Sequence, residues 1–297
     1  MSANALNLFV QEYNSNVQLL LQQRGSKLRD TVTIGSHTGE GASPVDQVGT
    51  VEMTPVVTRF GPMGRVDAPV SRRWVHPESF ELPQLIDNFD KLRLAVALEG
   101  PYVQAAVAAA GRQIDKLILN AVLGTAKTGK TGTTSTIFTA ANEVDVAFGG
   151  ANSKLNVAKL REAKRLMMAN FVDFDMETPT LVITAYDHDA LLGDIQVTNK
   201  DYNDGTPVLK DGKVTSFMGF NFVHCELVET ILAGTNEVTL PIYLKSGMHL
   251  GIWGDVSNAI SQREDLSSRP WQLYTTLTAG ATRIEENKVY AIESYRA

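Results

Sequence analysis

The sequence of 297 residues contains a single cysteine, Cys225, so no intrachain disulfide can form and a reducing compartment suits its folding. Long hydrophobic runs are missing as well: no window approaches the ~18 uninterrupted apolar residues of a membrane-spanning helix. Met1 to Val10 shows no basic stretch followed by an apolar one, so no signal peptide is expected. Positive charge is scarce, with 27 Lys and Arg against 33 Asp and Glu for a formal net charge of −6. That balance argues against a general nucleic-acid binder and leaves only non-specific contact with DNA. The five histidines are scattered without ligand-like spacing, so no metal site is expected. No internal repeat or low-complexity tract is present.

What remains is an ordinary globular composition, 43% hydrophobic and 20% charged, long enough for one large or two intertwined domains. Leu6, Phe9, Val10, Tyr13, Val17, Leu20 and Leu21 recur at helical spacing, predicting an amphipathic helix over 4–23. Residues 31–50 are rich in Gly, Ser, Thr and Pro and read as an extended arm. Two strand-like runs, Val51 to Phe60 and Arg65 to His76, flank the turn signal Gly61-Pro62-Met63-Gly64 and predict a long β-hairpin. An isolated hairpin is marginal in water, so a neighbour must support it.

The spacing of Val103, Val107, Ala110, Ile114, Leu117, Ile118 and Ala121 predicts a helix over 101–123, opened by Pro101 and ended by Gly124. At 1.5 Å per residue it is roughly 34 Å long, a beam across a domain. Beyond it the pattern alternates: a helix over 155–169, a buried strand over 180–184, and a short helix over 187–192 capped by Asp187. An exposed polar loop covers 196–213, and strands follow over 217–223, 238–244 and 248–253. Two or three more strands occupy 271–295, around turns at Ala279-Gly280 and Glu285-Glu286-Asn287.

Several patterns imitate active sites. Gly124-Thr-Ala-Lys-Thr-Gly129-Lys130-Thr131 matches the phosphate-loop pattern, but that cradle needs a strand entering and a helix leaving. Here a long helix enters and a Thr-rich stretch leaves. His224-Cys225 puts neighbouring side chains on opposite faces of a strand, which prevents a catalytic pair. Asp187-His188-Asp189 fits a helix cap better than a metal or acid–base group, and Glu285 and Glu286 read as solvated turn residues. No catalytic, cofactor-binding or metal residue is assigned, and no enzyme is expected. Arg59, Arg65, Arg72 and Arg73 lie on the predicted hairpin, where guanidiniums suit bidentate pairing with a neighbour's carboxylates.

The order of arm, long hairpin, long helix, α/β region and returning strands resembles the HK97-type fold of tailed-bacteriophage major capsid proteins. Local sequence strengthens the likeness. Phe9-Val10-Gln11-Glu12-Tyr13, Gln22-Gln23-Arg24-Gly25-Ser26-Lys27-Leu28, Arg72-Arg73-Trp74-Val75 and Asp90-Lys91-Leu92-Arg93 are similar to one branch of these proteins. So are Gly111-Arg112-Gln113-Ile114-Asp115 and Gly280-Ala281-Thr282-Arg283.

The resemblance implies an α+β fold with an N-terminal arm (1–50) and an E-loop hairpin lying over an adjacent subunit (51–80). It further implies a peripheral domain with the spine helix 101–123 (81–134), a mainly axial domain (135–245), and C-terminal strands returning to the peripheral domain (246–297). The implied function is a major capsid protein assembled in the bacterial host cytoplasm. Its hexamers and pentamers would close an icosahedral shell around double-stranded DNA. Arg59, Gly61, Pro62, Met63, Gly64, Arg65, Arg72, Arg73 and Trp74 are the implied subunit-interface candidates. About fifty residues before the hairpin leave no room for a long scaffolding extension. A separate scaffolding protein is therefore expected, with a portal protein and the packaged DNA as further partners and no membrane. Two alternatives stand beside this one: an encapsulin-like nanocompartment shell, and a P-loop NTPase using 124–131.

Overall fold

The computed structural model describes residues 22–39, 42–55, 58–59, 61, 64–86, 99–194, 197, 209–210 and 212–296, with the side chains of 99–101 and 209–210 left aside. The predicted helix 4–23, except its last two residues, the motifs at 9–13 and 90–93, and most of the loop 196–213 lie outside them.

In chain order the strands are β1 (Thr33–Ser36), β2 (Ser43–Val48), β3 (Val70–Val75), β4 (Glu78–Ile86), β5 (Ala126–Thr128), β6 (Thr134–Thr136), β7 (Glu143–Val144), β8 (Thr180–Ile183), β9 (Leu209–Lys210), β10 (Lys213–Val214), β11 (Ser216–Phe217), β12 (Phe220–His224), β13 (Glu237–Tyr243), β14 (Met248–Gln262), β15 (Trp271–Arg283) and β16 (Val289–Tyr295). The helices are α1 (Glu99–Leu123), α2 (Val157–Ala169), α3 (Ala185–Leu192) and α4 (Val228–Ile231). Two compact units emerge. One takes the described residues up to Ser26 with those of Ser79–Gln113 and Gly254–Thr278, and the other takes the rest.

In the smaller unit the first part of α1 buries Ala106, Ala108 and Ala110, small side chains that let backbone approach closely. β4 and β15 are neighbours, tied by Ser79 to Thr278 (3.1 Å) and by the Tyr274 hydroxyl donating to Glu81 (2.7 Å). Gly111 is demanded by a close crossing, because a Cβ there would sit 2.4 Å from the carbonyl carbon of Gly25. Arg112 then donates to the side chain of Gln22 (2.8 Å) and the carbonyl of Gln23 (3.1 Å). In the larger unit the clasp continues: buried Asp115 accepts from the backbone N–H groups of Lys27 and Leu28, each at 3.0 Å. Within each unit, then, the part of the motif 22–28 that it holds is fastened to its part of 111–115.

The larger unit is built on a six-stranded sheet in the order β11-β12-β8-β13-β16-β7, parallel at β12/β8 and β16/β7, antiparallel at β13/β16. α2 lies against β16 and β7, and Leu160, Ala163 and Met167, at helical spacing, are fully buried. Asn156 caps α2 through the Lys159 N–H. Lys159 is itself buried, donating to the carbonyls of Ser153 (2.7 Å) and Glu293 (2.6 Å), and burial lowers its pKa to about 8. A second sheet runs β2-β3-β5-β6, and β1 pairs in parallel with the first residues of β14, Thr33 opposite His249 through Ser36 opposite Ile252.

Four expectations need correction. The hairpin is real but its strands are β2 and β3, paired from Ser43–Val75 to Val48–Val70; no strand is found among the described residues of 49–69. The arm 31–50 accordingly contains β1 and β2 rather than little structure. Ala279-Gly280 is no turn: β15 runs through it, and glycine is needed because a Cβ would meet the carbonyl oxygen of His76. Thr184, not Asp187, caps α3; Asp187 is fully buried, accepting from Thr184 (2.7 Å), Ser294 (2.6 Å) and Arg296 (2.7 Å).

Candidate assembly surfaces

Cross-strand pairing fixes the base of the hairpin. Asp46 on β2 faces Arg72 on β3, and the guanidinium grips the carboxylate through Nε and through Nη2 (2.8 Å). Hydrogen bonding to Arg72 holds the Asp46 carboxyl below the usual carboxylate range and raises the guanidinium in turn. Arg72 also lies over the Trp74 ring at 5.8 Å, while the indole N–H donates to the carbonyl of Gly129 at the β5–β6 turn (2.7 Å).

Arg73 points the other way, donating to the carbonyl of Ile284 (2.8 Å) and pairing with Glu286 (3.2 Å). Arg283 binds the other oxygen of Glu286 (2.6 Å), and its remaining donors reach the carbonyls of Val122 (2.7 Å), Gly124 (2.8 Å) and Thr136 (3.3 Å). One carboxylate thus serves two guanidiniums, and Nη1 of Arg73 is buried with no hydrogen-bond partner among the described residues. Burial lowers the pKa of Arg73, Arg283 lowers it further, and Glu286 opposes both. The hub joins the C-terminal end of α1, the hairpin base, β6 and the turn after β15.

Past this rigid base the large apolar and basic residues that are described lie bare. Val51, Met53 and Val66 are exposed, Met53 completely, and Arg59, Gly61, Gly64 and Arg65 are exposed with them. Among the described residues Arg65 pairs with its neighbour Asp67 alone (2.8 Å). Pro62 and Met63 lie outside the described residues. The nine interface candidates therefore divide: Arg72, Arg73 and Trp74 are spent within the chain, while the other described candidates face solvent.

A profile of the family described as phage capsid protein matches residues 5–295. The chain belongs to the phage capsid protein family. It is a major capsid protein, a structural subunit that assembles with copies of itself into the virion shell. Among solved structures this capsid protein is similar to the capsid of cyanophage P-SCSP1u, at 14% identity and a TM-score of 0.72, covering 98% of this chain and 94% of that one. The capsid of cyanophage Pam1 gives 12% identity and a TM-score of 0.72 over 97% and 96%, and that of Ralstonia phage GP4 gives 9% and 0.71 over 97% and 95%. These likenesses share the mixed α+β fold. No curated protein matches.

The imitation sites resolve in the same capsid chain. Residues 124–131 follow the end of α1 and hold β5 and the start of a hairpin turn, with Ala126 opposite Thr136 and Thr128 opposite Thr134, so no helix N-terminus faces a phosphate. Neither the NTPase reading nor the nanocompartment reading finds support. Replacing the exposed Lys130 by alanine is expected to leave the thermal midpoint unchanged, with no nucleotide binding by calorimetry before or after. His224 pairs with Glu226 (2.6 Å), while Cys225 is buried and burial raises its thiol pKa. Among the described residues no three ligating side chains cluster, and no helix is long and apolar enough to cross a membrane.

Sequence reasoning missed Asp46 and the hub role of Arg283, and it read Glu286 as a solvated turn residue, whereas its carboxylate is largely buried between Arg73 and Arg283. An arginine in the Gly280–Arg283 motif was the only signal, and nothing in its spacing names its partners.

Proposed function

We propose that this capsid protein forms hexamers and pentamers that close an icosahedral shell around double-stranded DNA in the cytoplasm of a bacterial host. The observation that carries the reading is the extension 49–69. Its exposed Val51, Met53 and Val66 sit beyond a hairpin base fixed by Arg72–Asp46 and Arg73–Glu286, an arrangement suited to lying over an adjacent copy. On this reading 51–80 is the E-loop, 1–50 the arm, and 81–134 the peripheral domain, rejoined by 246–297. The six-stranded sheet, drawn mostly from 135–245, supports an axial role for that range. The subunit acts as a wall rather than a catalyst. Its acidic balance suits a container, since a basic lining would bind the packaged polymer through counterion release. A scaffolding protein and a portal protein are the partners this reading adds.

Negative-stain microscopy of the purified chain over a concentration and salt series tests it, with rings, sheets or closed shells expected. Replacing residues 50–68 by Asn-Gly is expected to leave a folded subunit, because β2 and β3 keep their register, but to abolish those assemblies. Normal assemblies from the shortened chain would remove the extension from the interface.

A further inference from the structure

The segment between α2 and β8 is held rigidly and still presents apolar side chains to water. Asn170 donates to the Tyr290 hydroxyl (2.9 Å), the Val172 N–H to the carbonyl of Met167 (3.1 Å), and the Asp175 N–H to the Asp173 carboxylate (2.9 Å). Glu177 then clamps Ser246 by accepting from its N–H (2.7 Å) and its hydroxyl (2.6 Å). Phe174 turns inward, edge-on to Phe220 with Lys164 over its face. Phe171 does the opposite: it is 96% exposed on a backbone with φ of 63°, flanked by exposed Met168 and Met176. A bulky residue in the left-handed region is strained, and such strain persists where the surroundings impose it. The only charges from 166 to 178 are acidic: Asp173 and Asp175, both exposed, and Glu177.

The same chain carries a complement. Beside the hairpin base lies an open cavity of about 600 Å³, lined by Arg72, Arg73, Lys130, Asp46, Val70 and Thr136 among others. Asp46 matches Arg72 and Glu286 pairs with Arg73, which leaves the exposed Lys130 as the cation at the opening. Val70, largely exposed, supplies an apolar wall.

We propose that the loop Asn170–Met176 of one subunit seats in this cavity of the next copy, Phe171 and Met176 covering Val70 while Asp173 and Asp175 face Lys130. The contact rests on the reading of the chain as a shell subunit. Its occupant is a second copy, because the acidic loop and the exposed Lys130 at the cavity are complementary and belong to a chain that assembles with itself. Joining two different patches makes it heterologous, the kind that forms a ring where the rotation between copies closes and an open filament where it does not. A rigid aromatic anchor with a charged rim is also the usual form of an energetic centre.

Sedimentation velocity of the purified full-length chain over a concentration series tests the contact. Wild type is compared with Phe171→Ser, with Asp173→Lys/Asp175→Lys, and with the latter plus Lys130→Glu. All four positions are exposed, and the bond lost is that of the Asp173 carboxylate to the Asp175 N–H, so thermal midpoints should fall by little and are measured beside the association. Each of the first two variants is expected to raise the concentration of half-association at least about tenfold, and Lys130→Glu is expected to recover part of the loss. A wild-type chain that stays monomeric at every concentration overturns the contact; the shell reading is judged separately by particles under the microscope. Undiminished association of both loop variants also overturns it and leaves the loop as a surface for an accessory protein. A charge-reversal defect that Lys130→Glu does not relieve overturns the seating in this cavity.

Discussion

Arg283→Ala is expected to lower the unfolding free energy by about 3–5 kcal/mol, the range for removing one partner from a buried, hydrogen-bonded charge cluster. Arg283 is fully buried, and its guanidinium satisfies three backbone carbonyls as well as Glu286. Two of those carbonyls, Val122 in the last turn of α1 and Gly124 just past it, lie where orphan acceptors and the helix dipole both favour a cation. Alanine leaves these acceptors without their donor in a place water reaches poorly, and it opens a cavity beside Phe138, whose ring the guanidinium overlies at 5.7 Å. Glu286 keeps Arg73, so the hairpin base should loosen rather than detach. Urea unfolding followed by circular dichroism gives the size of the loss, and a change below about 1 kcal/mol would mean that the hub is not what holds these elements together.

The same hub shows where the sequence was readable and where it was not. α1 and α2 were legible because their apolar positions repeat at helical spacing and their partners lie largely on one face; the observed bounds differ from expectation by two residues at the N-terminal ends. The hairpin was legible as a hairpin, since the strand-like run Arg65 to His76 needs a mate, and its second half holds β3. Its mate was not. β2 contains Pro44 and sits in a Gly-rich stretch, and what selects its register is the Asp46–Arg72 pair, 26 residues apart, which no local pattern can announce.

Gly280 misled for a related reason. Glycine commonly marks a turn, but here it clears the carbonyl of His76, a contact made only when distant segments meet. Asp187 looked like a cap because Thr184, three residues earlier, is an equally good one; burial and Arg296 decided between them. The surfaces of the shell were legible only as residue types. Arg72 and Arg73 appeared equivalent to Arg59 and Arg65 in sequence, yet the fold spends the first two inside the chain and leaves the other two outside.

Acid is expected to weaken the attachment of β1 through a histidine pair. His37 and His249 meet Nε2 to Nε2 at 2.9 Å, the Ser43 hydroxyl lies 2.7 Å from the other nitrogen of His37, and the Trp253 ring stacks on His37 at 5.0 Å. Gly35 and Gly251 leave the room, since a Cβ at either would press on an imidazole. No carboxylate appears among these partners. Burial, with a smaller contribution from His37, lowers the pKa of His249 to about 4, against 6.5 for the free side chain.

The sign follows from proton counting. Between pH of about 6.5 and about 4 the unfolded chain binds a proton at His249 that the folded chain refuses, so stability falls as pH drops through that window and is fully present above it. At about 1.4 kcal/mol per pKa unit the loss reaches at most about 3 kcal/mol. His249→Gln, which keeps a polar side chain that does not titrate, should flatten the slope of urea midpoint against pH between 7 and 4. Amide exchange at Thr33–Ser36 should accelerate in the wild type over the same range, because β1 is the strand that this pair fastens to β14. An unchanged slope in the variant would place the acid sensitivity elsewhere. Accelerated exchange confined to β1 would instead make the histidine pair a local latch, releasing β1 before the sheets themselves give way.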